Sequence, residues 1–394
     1  MLNEKKVILK RGKEFQIKNR HHWIFSGAVQ IVPSFEDGEI LSVYSSDGEC
    51  LGHAYFNRNS DIIGRMINFD STPPLEALRE NIKSAISLRN ELFNTKVTNC
   101  YRLINGEGDC LPGLTVDRYN DTFVMQLSTY GMDRLKPVLI EILLDLCKDQ
   151  LHCLYEKSTM HTRVREGLKP VEGVLWGTLN PELVVKENDI SFAIDLKNSQ
   201  KTGLFLDMRE MRCLIKTISA KKRILNCFSY TGGFSLYAMT GGATGVDTLD
   251  ISSGVVEQAR KNFQINGLTE TGCRFIAQDA FCFLREQELS SYDLIILDPP
   301  AFAKKKAEIS GAKKGYHEIN RTTFQKMSPG SLLLTCSCSY FINSEIFEEI
   351  IFSAASRARR KVKILQRHRL AGDHPINMYH REIDYLKSLL LFVE

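Results

Sequence analysis

Four short stretches in the second half of the chain carry residue types that could do chemistry. Asn226-Cys227-Phe228-Ser229-Tyr230-Thr231-Gly232-Gly233-Phe234 sets two glycines directly after an apolar run, where a backbone without Cβ atoms can approach a ligand closely. Asp250 closes the next apolar run and Asp279 the one after it. An acid ending the second strand of such a series can accept both hydroxyls of a ribose. Either acid alone could equally be a helix cap or a turn former. Their phasing on consecutive strands is what points to a nucleoside. The G-x-G-x-x-G spacing is absent and nothing cradles a pyrophosphate, so the nucleoside expected is S-adenosylmethionine.

The third stretch is Asp298-Pro299-Pro300-Ala301-Phe302 and the fourth is Thr335-Cys336-Ser337-Cys338-Ser339. Consecutive prolines cannot continue a strand ladder, so they leave a sheet abruptly and fix the preceding acid at a pocket mouth. A single cysteine is usually buried filler. Two at the end of a strand, beside the expected ligand edge, favour a nucleophile. The candidate cofactor contacts are Asn226, Phe228, Ser229, Thr231, Gly232, Gly233, Phe234, Asp250, Asp279, Asp298 and Pro299. The candidate catalytic groups are Cys338 and Asp298.

A sheet must hold these stretches at one edge. Residues 223–228, 243–250, 274–277, 293–297 and 331–335 are apolar runs of strand length. Between them, 234–239, 252–266 and 281–288 have helical character, with Val255, Val256, Ala259 and Phe263 on one face. Runs apolar on both faces and joined through helices predict a buried parallel sheet, with its ligand at the carboxyl ends of the strands. Residues 189–394 are therefore expected to form a doubly wound, mostly parallel α/β domain. Residues 1–71 show strand-length runs at 7–10, 39–44, 50–56 and 62–67, broken by Asp37-Gly38 and Asp47-Gly48, and predict a small β-rich domain. Ser71-Thr72-Pro73-Pro74 reads as a linker. Residues 72–188 predict an α+β domain, with helices over 75–93 and 135–147, strands over 114–118 and 122–127, and a Gly-rich turn near Gly106-Glu107-Gly108.

At 394 residues, 43% hydrophobic and 25% charged, the chain is long enough for two or three cored domains and too apolar for disorder. No run is long and apolar enough for a membrane span, and no signal-peptide core precedes the charged N-terminal residues. Eleven cysteines with no Cys-x-x-Cys pair argue against a disulfide framework or a zinc ribbon, so no metal and a cytoplasmic setting are expected. The net charge of +4 is mild, yet seven Lys/Arg lie within residues 1–22 and seven within 353–370. Lys304-Lys305-Lys306 with Lys313-Lys314 makes a third cluster. One such cluster is ordinarily a solvated face; three favour a polyanionic partner. A homodimer is left open.

The same motifs resemble those of the bacterial large-subunit ribosomal RNA methyltransferase I family, across essentially the whole chain. The residues that carry the resemblance are Asn226–Phe234, Asp298-Pro299-Pro300 and Ser337-Cys338-Ser339, with Lys201-Thr202-Gly203-Leu204-Phe205-Leu206-Asp207-Met208-Arg209 ahead of them. Arg102-Leu103-Ile104-Asn105-Gly106-Glu107 and Leu111–Arg118 match that family's central domain. His22-Trp23-Ile24-Phe25-Ser26-Gly27 is similar to part of its N-terminal PUA domain, an RNA-binding module. Two departures stand out: His22 replaces an expected proline, and Cys336 is an extra thiol. The resemblance implies a PUA domain over 1–71, a central α+β domain over 72–188 and a class I Rossmann-like methyltransferase domain over 189–394. It also implies S-adenosylmethionine as cofactor and 23S ribosomal RNA as partner, with Lys201, Arg209, Lys304, Arg20 and Trp23 as RNA contacts.

The activity it implies is methylation of a cytosine at C5. That carbon is a poor nucleophile until a thiolate adds at C6, the role expected of Cys338, while Asp298 assists at N3. Where the two-cysteine enzymes of this chemistry carry a second thiol after the proline, this chain has Ala301, so the base that removes the C5 proton is unassigned. One rival reading is methylation of an exocyclic or ring nitrogen of guanine or adenine, which needs no thiol and prefers an aromatic where Ala301 stands. Another is a non-catalytic RNA-binding factor of ribosome assembly.

Overall fold

The computed structural model describes residues 5–199 and 201–394. The chain divides into two compact units, and the division is not a single cut. The first comprises Met1–Asp189, Ile194–Leu206 and Gly372–Ile383, and the second Ile190–Ala193, Asp207–Ala371 and Asp384–Glu394.

In the first unit, residues 6–66 form a six-stranded sheet, ordered in space as Trp23–Ile24, Gly64–Met66, Cys50–Phe56, Ile40–Tyr44, Lys6–Leu9 and Val29–Ile31. Asp47-Gly48 turns the hairpin between its two longest strands, with Gly48 left-handed at φ 84° and its N–H on Ser45. Val7, Leu9, Ile24, Leu41, Val43, Phe56 and Met66 fill the core. Pro74 opens the following helix, Pro74–Leu92, where its missing N–H costs nothing. That helix and Lys136–Leu146 cover a five-stranded sheet through Leu78, Ile82, Leu139 and Leu143.

The strand Cys100–Asn105 runs into the expected Gly-rich turn, Gly106–Asp109, and the charges of this segment are structural. Arg89, fully buried, donates to both carboxylate oxygens of Asp109 and to the carbonyls of Arg102 and Asp373. Arg102 in turn pairs with Asp117, which also accepts from the Thr202 hydroxyl. Asp373 accepts from the Arg102 N–H at 2.8 Å. This buried network ties 202–204 and 372–377 to the sheet, although both segments are remote from it in sequence.

The second unit is a seven-stranded sheet: β1 Arg223–Cys227, β2 Gly245–Asp250, β3 Arg274–Ala277, β4 Leu294–Leu297, β5 Ser331–Ser337, β6 Val362–His368 and β7 Lys387–Val393. The spatial order is β3-β2-β1-β4-β5-β7-β6, with β1 to β5 parallel and β7 antiparallel between β5 and β6. The expected doubly wound sheet is present. Its residues alternate between two cores: Ile224, Leu294, Ile296 and Leu334 face one side, and Leu225, Cys227, Ile295 and Leu297 the other. Helices α1 Arg209–Ile218 and α2 Gly233–Thr240 cover the first side. On the second lie α4 Ala280–Glu286, α5 Ile309–Lys326 and α6 Ser344–Arg357, while α3 Ser253–Ile265 crosses from β2 to β3. Strand order reverses between β1 and β4, so the crevice outside their carboxyl ends is the natural ligand site.

Candidate active site

Three loops converge on that crevice. After β1 the chain turns through left-handed residues at Phe228, Tyr230 and Gly232, with φ of 57°, 47° and 79°. A Cβ on Gly232 would stand 2.8 Å from the Ala259 Cβ, so glycine is needed there for both φ and packing against α3. Asp250 anchors the turn. One carboxylate oxygen accepts from the Tyr230 N–H at 3.0 Å and the other from the Ser252 N–H at 3.1 Å. Each oxygen keeps a further lone pair, and the side chain is part-exposed, so the pair of acceptors fits the two hydroxyls of a ribose diol.

Asn226 sits deeper. It is fully buried, its amide donates to the Ser235 hydroxyl at 2.9 Å, and Ser235 also accepts from Thr248, which staples β1, α2 and β2 together. Its Oδ1 has no hydrogen-bond partner. Phe234 packs in the core under α2. Asp279 caps α4, accepting from the Cys282 N–H at 2.9 Å. Ser229, Thr231 and Gly233 complete the turn that Asp250 holds.

Asp298, Pro299 and Pro300 leave β4 as expected, and the loop beyond them is clamped to the end of β5. The Ser339 hydroxyl meets the Tyr316 hydroxyl at 3.0 Å and accepts from the Ala303 N–H at 3.3 Å. Phe302 packs on Tyr316 and Phe281, with ring centroids 4.5 and 5.9 Å away. Burial pushes the Tyr316 phenol up to about 12, so it stays neutral.

The two thiols of this segment differ sharply. Cys336 is 0% exposed in the core, and burial pushes it well above its ordinary value, reinforced by the charges of Asp298 and Cys338. Cys338 is part-exposed past the end of β5, its Sγ 3.9 Å from the Pro299 carbonyl oxygen. Sequence reasoning passed over Lys387, a buried lysine at the start of β7 that donates to the Ser339 carbonyl. A lysine inside the apolar run Tyr385-Leu386-Lys387-Ser388-Leu389 was the available signal.

The cations expected to meet RNA are not equally presented. Arg20, Lys201 and Lys304 are exposed and Trp23 is part-exposed, whereas Arg209 is only 3% exposed. In the 353–370 cluster, Arg360, Lys363, Arg367 and Arg369 are engaged by Met327, Glu394, Glu348 and Asp384. His21, His380 and Glu382 bring ligand atoms within 4.8 Å of one another. The Trp23 backbone N–H donates to His21 Nδ1, which leaves Nε2 carrying the proton toward Glu382, so these two are already engaged with each other, while neither ring nitrogen of His380 has a hydrogen-bond partner among the described residues. A cleft of about 550 Å³ in the first unit, lined by Glu36, Asp37, Arg58 and Arg134, is crossed by its own ion pairs. Among the described residues no helix is long and apolar enough to cross a membrane.

Comparisons with known proteins agree with this architecture. A model of the S-adenosylmethionine-dependent methyltransferase family matches residues 102–372, and a PUA-like domain model matches 7–69. The ribosomal RNA large subunit methyltransferase I of Aeromonas salmonicida is 38% identical over 98% of each chain. Its namesake from Aliivibrio fischeri is 38% identical over 97% of this chain and 98% of its own. Among solved structures, one described as a methyltransferase complexed with SAH superposes with a TM-score of 0.85 at 25% identity, covering 98% of this chain and 99% of that one. With a PUA-like domain, an S-adenosylmethionine-dependent domain and full-length relatives at this identity, the chain belongs to the ribosomal RNA large subunit methyltransferase I family.

Proposed function

We propose that this protein methylates C5 of a cytosine in large-subunit ribosomal RNA, through a transient bond between Cys338 and C6 of the base. The observation that carries the reading is the part-exposed thiol of Cys338, facing the Asp298-Pro299-Pro300 loop at the carboxyl edge of the sheet. The names of the curated relatives support ribosomal RNA as substrate.

In this reading the turn Phe228–Gly233 and Asp250 hold the cofactor, with Asp250 on the ribose. Asn226 and Phe234 support that turn from beneath, and Asp279 frames the adenine side as the cap of α4. When bound, S-adenosylmethionine supplies an electrophilic methyl group. The Cys338 thiolate adds to C6, which makes C5 an enamine-like nucleophile, and Asp298, in its protonated form, donates to N3 to favour that addition. After methylation the C5 proton passes to water, no side chain being assigned as its base, the C5–H electrons restore the C5–C6 double bond, and the C6–S bond breaks to return the Cys338 thiolate. The base must leave its stack to enter the site. Arg20, Trp23, Lys201 and Lys304 dock the RNA.

The rival transfer to a purine nitrogen finds less support. It needs no thiol, and the aromatic it would use to stack a base, Phe302, has its ring packed against Tyr316 and Phe281. Nucleoside mass spectrometry of ribosomal RNA treated with the enzyme tests the reading. It predicts 5-methylcytidine; methylated guanosine or adenosine in its place would overturn it.

A further inference from the structure

Burying a lysine is costly, and Lys387 is only 5% exposed. It stands directly across the β5–β7 pair from Ser337. Its Nζ donates to the carbonyl oxygens of Ser339 and Tyr385, each at 2.7 Å. Neutral donors could satisfy two carbonyls without a charge to desolvate. A cation is warranted where a negative charge is to be stabilised, and the bond to Ser339 ties Lys387 to the segment that carries Cys338, between Ser337 and Ser339.

We propose that Lys387 is a positioning residue for Cys338: it fixes the Ser337–Ser339 turn through the Ser339 carbonyl and favours the ionised thiol by its charge. The inference rests on the reading of Cys338 as the nucleophile. On ionisation the Sγ proton goes to water, and Lys387 keeps its own.

The surrounding charges fit this assignment. Burial lowers Lys387 to about 8, and among charged groups a Cys338 thiolate opposes that shift most strongly. By reciprocity a thiolate at Cys338 keeps Lys387 protonated. From β4, Asp298 acts in the opposite sense while it is ionised and ceases to once it carries the proton it donates to N3. From β5, Cys336 stays a thiol in the core, and from α5, Tyr316 stays neutral. Asp384 is paired with Arg369, and the Tyr385 hydroxyl donates to Asp207 at 2.6 Å. Lys387 is thus the cation available to Cys338 from the strand beside it.

The test follows iodoacetamide alkylation of Cys338 in the full-length protein against pH, resolved from the other ten cysteines by peptide mass spectrometry. The wild type should show a midpoint below the ordinary thiol value of about 8.5. In Lys387→Met that midpoint should rise by about one pH unit, the effect of losing a nearby charge. Methyl transfer at pH 7 should fall about tenfold and recover as pH rises, and Lys387→Arg should keep the low midpoint. An equal midpoint in the wild type and Lys387→Met would mean a merely structural lysine and would overturn the proposal. So would a wild-type midpoint at or above about 8.5, a result that stands even if Lys387→Met fails to fold. Activity retained in Cys338→Ala would sink the functional reading separately, without touching the alkylation result.

Discussion

Cys338 Sγ and the Pro299 carbonyl oxygen lie 3.9 Å apart, which brings two motifs separated by 39 residues to a single point. Parallel pairing of β4 with β5 sets this up, because Leu297 is opposite Thr335 and both chains leave the sheet at the same edge. The Tyr316–Ser339–Ala303 contacts then keep the two exits together. The acid and the thiol of the proposed reaction are therefore held by strand ends and a buried phenol, not by mobile loops.

Asp250→Ala should weaken S-adenosylmethionine binding by about 1.5–3 kcal/mol, the scale of hydrogen bonds to a charged group. Calorimetry measures this directly. The loss includes the turn, because the Tyr230 and Ser252 N–H groups lose their acceptor as well. Unchanged affinity would remove Asp250 from the cofactor site.

Arg89→Ala should cost about 3–5 kcal/mol of stability, because it leaves the Asp109 carboxylate buried without its partner. Lys5→Ala, which breaks the exposed pair with Glu39, should cost less than about 1 kcal/mol. Denaturant unfolding of the two variants gives the comparison; equal losses would mean that the Arg89 network does not hold the first unit.

His22 makes acid stability a test of its burial. Burial lowers its imidazole to about 3, and neither ring nitrogen has a hydrogen-bond partner. Between pH 6.5 and 3 the unfolded chain binds a proton that the folded one refuses, so this contribution is present above pH 6.5 and is lost as pH falls. The effect is on the order of a few kcal/mol. His22→Leu should therefore move the acid-unfolding midpoint to lower pH, and an unmoved midpoint would contradict the assignment.

Docking of RNA through Arg20 and Lys304 predicts that each alanine substitution lowers the salt dependence of RNA binding by about 0.7 in log–log slope, one single-strand phosphate contact apiece. Arg209→Ala should leave the slope alone, since its guanidinium is buried. Slopes from binding isotherms at several salt concentrations decide it.

Much of the second unit was legible in the sequence, because a parallel sheet buried on both faces writes itself as apolar runs, as β4 and β5 do most clearly, whereas β2 carries Asp247 and Thr248 inside it and β3 is a part-exposed edge strand. β6 was not legible: as an edge strand it carries Lys363, Gln366 and Arg367 toward solvent and reads as a charge cluster. Four of that cluster's cations have partners within the chain, three of them in exposed ion pairs, something that spacing cannot reveal. The helix-cap role of Asp279 was one of two readings open in the sequence, and the cap hydrogen bond is what the structure adds. The partners of Arg89 were invisible because Asp109 and Asp373 reach it only through the fold. Residues 372–383 fall inside the stretch read as the Rossmann-like domain yet pack in the first unit, held by that same network.

The most direct test of the covalent mechanism is a trap. An RNA substrate with fluorine at C5 of the target cytosine cannot lose that position as a proton, so the C6–S bond should persist after methyl transfer. Incubation with enzyme and S-adenosylmethionine, followed by peptide mapping, should give a stable adduct on Cys338, and none with Cys338→Ala. An adduct on Cys336, or no adduct at all from an enzyme that methylates the unmodified RNA, would contradict the account.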